Sequence, residues 1–151
     1  LKPYHDWEEL STEARAAWDI YAEVAKPKKI FRIALRYINR LELPKPVTDI
    51  TKYLMTAPTI APGVSQQLDH FFLRVEITDA EFDAHVAVTE TVDRSNPTKD
   101  YLAVIFDTDT FRVGSFPTDT AKLWPLFEPL HTLKHKVFFR SLTDLGKDLF
   151  R

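Results

Sequence analysis

Fifteen residues, Lys29-Ile-Phe-Arg-Ile-Ala-Leu-Arg-Tyr-Ile-Asn-Arg-Leu-Glu-Leu43, alternate with a period of two. Phe31, Ile33, Leu35, Tyr37 and Leu41 share one side, and Arg32, Arg36 and Arg40 share the other. That is the pattern of a long, half-buried strand. Such a strand needs hydrogen-bonded neighbours and a cover for its apolar side, so the fold must be organised around a sheet.

Three more runs supply the neighbours, at 69–78, 82–93 and 100–113. Phe71, Leu73, Val75 and Ile77 share a face in the first, and Phe82, Ala84, Val86 and Val88 in the second. The third begins Tyr101-Leu-Ala-Val-Ile-Phe106, apolar on both faces, which predicts a central strand covered on both sides there. The links at Thr78–Glu81 and Arg94–Lys99 are too short for βαβ crossovers and predict antiparallel hairpins.

Helical periodicity brackets these strands. Trp7, Leu10, Ala14, Trp18 and Tyr21 recur at spacings of three and four, predicting a helix over 8–25 that Ser11 or Thr12 could cap and Pro27 closes. Two tryptophans on one helix face require a partner surface. Residues 44–66 hold Pro44, Pro46, Pro58, Pro62 and Gly63, and read as an ordered excursion with a short helix around Val47–Leu54.

The tail is helical from Thr118, capped by Thr118 or Asp119. Pro125 lies near its first turn, and Pro129 is expected to kink it. Leu126, Leu130, Leu133, Val137 and Phe138 form its apolar stripe, and Ser141–Asp144 opens a second short helix ending near Arg151. The predicted architecture is α+β: an antiparallel sheet of about four strands, with an N-terminal helix and C-terminal helices packed on one face.

Composition narrows the chemistry. The 151 residues carry a net charge of −2, which argues against a body built as an electrostatic glove for nucleic acid. The absence of cysteine excludes disulfides, thiol catalysis, iron–sulfur clusters and cysteine zinc sites, and three glycines leave no room for a phosphate loop or a dinucleotide fingerprint. No apolar run approaches the ~18 residues of a membrane span. No cofactor is implied, and the expected location is cytoplasmic. The chain begins at Leu1 without a signal segment, which predicts a single domain over 1–151 cut from the C-terminal part of a longer protein.

Several phrases together carry a resemblance: Leu35-Arg-Tyr-Ile-Asn-Arg40, Tyr53-Leu54 with Ala57-Pro-Thr-Ile-Ala-Pro62, Ile105-Phe-Asp-Thr-Asp109, and Leu130-His131 with Val137-Phe-Phe-Arg-Ser-Leu-Thr-Asp144. Over roughly residues 29–150 the chain resembles the C-terminal portion of a sporadically distributed bacterial protein family with no established activity. The resemblance implies a longer N-terminus and no catalytic residue. It also implies an aliphatic residue between the two acids, where Thr108 stands. The family's patchy distribution associates it with mobile genes such as toxin–antitoxin or phage-defence modules.

Five constellations remain as candidates. The stripe Arg32, Arg36 and Arg40 could track a phosphate backbone. Charge arithmetic favours internal pairing instead: residues 28–46 hold six positive charges and one negative, and residues 69–109 hold ten negative and three positive. In one sheet the arginines should meet carboxylates such as Glu76, Asp83 or Asp107. Asp107 and Asp109 share a face and could bind a divalent metal, with Asp83 or Glu90 as a third ligand. His131 and His135 have two-histidine spacing, but Thr132 stands where H-E-x-x-H has its base, which favours packed or rim histidines. His85 with Asp83 forms no recognisable nucleophile motif. Phe72 and Phe106 fall opposite the main apolar set of their strands, predicting a second apolar surface that meets a preceding segment, another subunit or a partner.

The leading expectation is a protein-interaction or assembly component, rather than an enzyme, whose partner is another protein or a second copy. Nucleic-acid binding through the arginines is the alternative, and metal-dependent catalysis by the acidic pair comes third.

Overall fold

The computed structural model describes residues 5–66, 68–95 and 97–149. In chain order it contains α1 (Trp7–Ala25), β1 (Ile30–Pro44), β2 (Phe72–Asp79), β3 (Ala84–Val92), β4 (Tyr101–Phe116), α2 (Thr120–Leu123), α3 (Phe127–Ser141) and α4 (Asp144–Asp148). Single 3-10 turns lie at Ile50–Lys52 and Trp124–Leu126. The strands form one antiparallel sheet in the order β1-β4-β3-β2, the α+β arrangement that the alternation predicts.

The β1–β4 ladder is the backbone of the molecule. It runs from Ile30 opposite Phe116 to Pro44 opposite Tyr101, with a bulge between Ile30 and Arg32. β4 therefore extends three residues past its predicted end at 113, because β1 offers it a partner there. The β2–β3 link falls two residues later than the sequence suggests, at 80–83. Asp79 Oδ1 accepts from the amides of Glu81 and Phe82, Asp83 adopts φ 47°, and Phe82 falls in the turn, so β3 starts at Ala84.

α1 is capped by Asp6, whose side chain accepts from Glu9 N at 2.8 Å, and it ends at Lys26 in the left-handed region. Ser11, predicted as a cap, lies inside the helix and instead accepts from Trp124 Nε1 at 2.8 Å. No residue of α1 is buried; the helix is held through Trp18, packed against a core cluster, and Trp7, stacked on His131.

The two prolines of the tail do different work from the one expected. Asp119 caps α2, Pro125 sits in the following 3-10 turn, and Pro129 is the third residue of α3. An amide in a first turn has no intrahelical acceptor, so Pro129 costs no hydrogen bond there. The chain breaks into two helices before Pro129 instead of kinking at it.

The excursion after β1 is ordered, but of the helix expected at 47–54 only the 3-10 turn forms. A bridge ties the excursion to the C-terminal helices: Met55 N donates to Ser141 O at 2.8 Å and Thr143 N to Tyr53 O at 3.0 Å. Thr143, within the Ser141–Asp144 segment expected to open a second helix, then caps α4. Gly146 lies so close to the carbonyl of Tyr53 that a Cβ would stand 2.2 Å from that oxygen, so only glycine fits.

One face of the sheet is covered and the other is not. On the covered face Leu41, Leu43, Val92, Val104 and Phe106 pack with Ile50, Leu54, Phe71, Phe138 and Leu142. A second cluster joins Ile33, Ala84 and Val86 to Leu123, Leu130 and Leu133, so α3 contributes to both. No helix among the described residues is long and apolar enough to cross a membrane.

Candidate functional site on the open sheet face

β1 turns Arg32, Arg36 and Arg40 to the open face, and β4 turns Asp107 and Asp109 to the same face. The arginines do not stand free. Arg36 grips Asp107 with two donors, Nε at 3.0 Å from Oδ1 and Nη2 at 2.6 Å from Oδ2. Arg32 Nη2 donates to Asp109 Oδ2 at 2.7 Å, with its guanidinium carbon 4.4 Å from the centre of the Phe111 ring. Arg40 Nε donates to Asp93 Oδ2 at 3.0 Å, and its other arm meets Glu42. On the far edge Arg74 donates to Thr89 Oγ1 at 3.1 Å and pairs with Glu76 at 3.7 Å.

These contacts hold the charges on. Hydrogen bonding and attraction to Asp107 push the Arg36 guanidinium above its ordinary pKa, and Asp93 and Tyr101 do the same for Arg40. Asp93 is pulled down to about 2, first by the Ser95 hydroxyl, then by the Ser95 amide and Arg40.

The internal pairing favoured by charge arithmetic is therefore what forms, although only Asp107 among the three predicted acids takes part. Asp83 lies in the β2–β3 turn, and Glu76 serves Arg74. The acidic pair does share a face, but each member holds an arginine. Glu90, the proposed third ligand from β3, lies on the covered face with the sheet between. Among the described residues no group of three or more His, Asp or Glu gathers as a metal site.

The two phenylalanines separate. Phe72 is 67% exposed on the open face, where it was expected. Phe106 is a correction: it is fully buried on the covered face, its ring edge-on to Phe138 at 5.5 Å. With residues 101–106 all apolar, β4 gives no parity signal. Its covered set is Leu102, Val104 and Phe106, continued by Thr108 and Thr110, while Ala103 and Ile105 lie on the open side. β4 is central, as predicted, but no second layer among the described residues covers it: Ala103 and Ala87 are shielded on the open face by the larger side chains around them. Ile38 and Val113 project from this face, 62% and 66% exposed.

His85 also belongs to the open face, stacked on Phe111 at 5.2 Å with Nδ1 3.2 Å from Thr78 Oγ1. Beyond the end of the sheet a groove of about 970 Å³ opens among Lys45, Val47, Leu68, Arg94, Lys99 and Tyr101. Its Lys45 Nζ is spent on the carbonyl of Thr98.

Two ionisable groups lie beneath the covered face: Glu90, which the sequence suggested only as a metal ligand, and Lys134, which it did not single out. Glu90 is fully buried with neither carboxyl oxygen hydrogen-bonded, and burial pushes it up to about 7. Lys134, on the sheet-facing side of α3, is 5% exposed, with Nζ 3.6 Å from the centre of the Tyr37 ring, and burial pushes it down to about 8. Both break an otherwise apolar pattern: Glu90 in Ala84, Val86, Val88, Val92, and Lys134 between Leu133 and Val137. That interruption was the available signal.

Comparison of the sequence with known family models gives no match, and neither do searches of curated proteins or of solved structures.

Proposed function

We propose that this chain is an assembly module that associates with a second copy of itself through the open face of the sheet. The observation that carries the reading is the full pairing of Arg32, Arg36 and Arg40 on an uncovered face that also presents Ile38, Phe72 and Val113. A phosphate backbone gains little from guanidinium groups already neutralised by carboxylates, since binding would first have to break those pairs. A protein surface faces no such cost at exposed Ile38, Phe72 and Val113, which gain by leaving water.

The face also suits itself. It carries arginines and carboxylates in near balance, so two copies can meet about a two-fold axis without net repulsion. Four strands spaced ~4.8 Å apart over about nine residues give a footprint of roughly 600 Å² per copy. Two such footprints, about 1,200 Å², reach the lower end of stable interfaces. The bacterial, cytoplasmic setting and a place in a toxin–antitoxin or phage-defence assembly belong to this proposal through the family resemblance alone.

Light scattering on a size-exclusion column tests it. The native chain should run as a dimer, and Ile38→Asp with Phe72→Asp should run as a folded monomer. A native monomer at high micromolar concentration overturns the reading. Salt-sensitive binding of a single-stranded oligonucleotide by that monomer would give the arginine stripe to nucleic acid instead.

A further inference from the structure

His131 and His135 lie one turn apart on α3, and their Nε2 atoms converge to 3.1 Å. Spacing alone places two imidazoles on one helix side without aiming them at one point. Here both rings have turned toward each other, and aromatic neighbours hold them in that pose. Trp7 stacks on His131 with centroids 4.4 Å apart and planes 10° from parallel, and Phe139 stacks on His135 at 5.9 Å and 13°. Trp7 is itself anchored, its Nε1 donating to Glu128 Oε1 at 2.8 Å.

A zinc-class ion binds imidazole nitrogen at ~2.0–2.1 Å. Two such bonds at a cis or tetrahedral angle put the nitrogens roughly 2.8–3.4 Å apart, by the geometry of those bond lengths. The observed separation, held by a hydrogen bond between the two rings, falls in that window, and an ion would take the place of the shared proton, which moves to Nδ1 of the donor ring.

We propose that His131 and His135 form a two-point anchor for an imidazole-preferring divalent transition ion, zinc, nickel or copper, with its remaining positions open to solvent. The ligand type excludes magnesium and calcium, which want oxygen donors. Thr132 in place of a glutamate leaves no general base at the pair, so this is a binding site and not a hydrolytic centre.

The surroundings suit the neutral imidazole that ligation requires. Burial and the nearby Lys134 charge lower both histidines, with His135 adding to the effect on His131 and Glu128 opposing it. Lys134 itself points away, toward Tyr37. His135 is exposed and His131 half-buried, so an ion can reach the pair from solvent.

The test is calorimetric titration of the full chain, free of any histidine tag, with zinc and nickel chlorides and with magnesium as control. One ion per chain should bind, magnesium should not, and His131→Ala or His135→Gln should each weaken binding at least tenfold while circular dichroism stays unchanged. Long-range nitrogen NMR of the rings supplies a second readout: Nε2 of both residues should shift on zinc addition, and His5, His70 and His85 should not. No zinc or nickel binding by the native chain overturns the proposal. So does binding that survives in the double variant His131→Ala with His135→Gln, or ring shifts confined to the other histidines.

Discussion

The two faces of this sheet treat charge in opposite ways. On the open face, where water would solvate a lone ion at little cost, every arginine of the stripe holds a carboxylate. On the covered face, where an unpaired charge is expensive, Glu90 has no hydrogen-bond partner and Lys134 sets its ammonium over the Tyr37 ring. The lesson is that exposed pairs and buried ions answer different demands. Open-face pairs fix side chains in an orderly array and leave the face near neutral. The buried groups meet the cost of burial by shifting toward their neutral forms, near 7 for Glu90 and near 8 for Lys134.

That contrast can be broken most forcefully at the phenylalanines. Phe106→Ala should cost about 3–5 kcal/mol in urea unfolding, as for a large core ring. Phe72→Ala should stay within about 0.5 kcal/mol. Similar losses from both would erase the distinction between the faces.

The next effect is a pH dependence. Glu90 has a folded pKa of about 7 against an ordinary 4.5, so its contribution to stability is full below the ordinary value and is lost as pH rises through 7. Lys134 is lowered from 10.5 to about 8, so its contribution is present above the ordinary value and is lost as pH falls through 8. Both penalties overlap between pH 7 and 8, and the native chain should show a stability minimum there. Each shift corresponds to up to roughly 3.5 kcal/mol at about 1.4 kcal/mol per unit. Glu90→Gln should remove the decline on the acid side of the minimum, and Lys134→Met the rise on the alkaline side. Urea midpoints that stay flat from pH 4.5 to 10.5 would show that neither group is shifted by burial.

How much of this was legible depended on how sharply each strand alternates. β1 was readable in its extent because arginines mark every fourth residue of one face, and Lys29–Leu43 falls within a residue of Ile30–Pro44, but Phe31, expected in the covered set, lies at the bulge and is 66% exposed. β4 was readable as a strand but not in its facing, since Leu102 to Phe106 carry no polar residue to set parity, and Phe106 was placed on the wrong side. The arginine partners were legible as a charge balance but not by name. Asp93 lies past the end of β3, and which acid an arginine reaches depends on sheet twist and side-chain length. Glu90 and Lys134 were hidden because each is a single polar residue in an apolar stripe, and their burial follows from how α3 crosses the sheet.

The smallest expected effect lies in the ion pairs themselves. Arg74→Ala and Glu76→Gln should leave the urea midpoint essentially unchanged, as both side chains of this pair are half exposed and such pairs contribute little to stability. Their effect should appear in association, where an unpaired Glu76 or Arg74 would be left facing the second copy. A large loss of stability from either variant would mean that the ladder holds the sheet together rather than dressing its surface.

Isotope-filtered NMR on an equimolar mixture of carbon-13-labelled and unlabelled chains tests the central claim most directly. Self-association through the open face predicts intermolecular contacts at Ile38, Phe72 and Val113, and none at Phe106 or Leu133. Intermolecular contacts confined to α1, or no such contacts at high micromolar concentration, would contradict it.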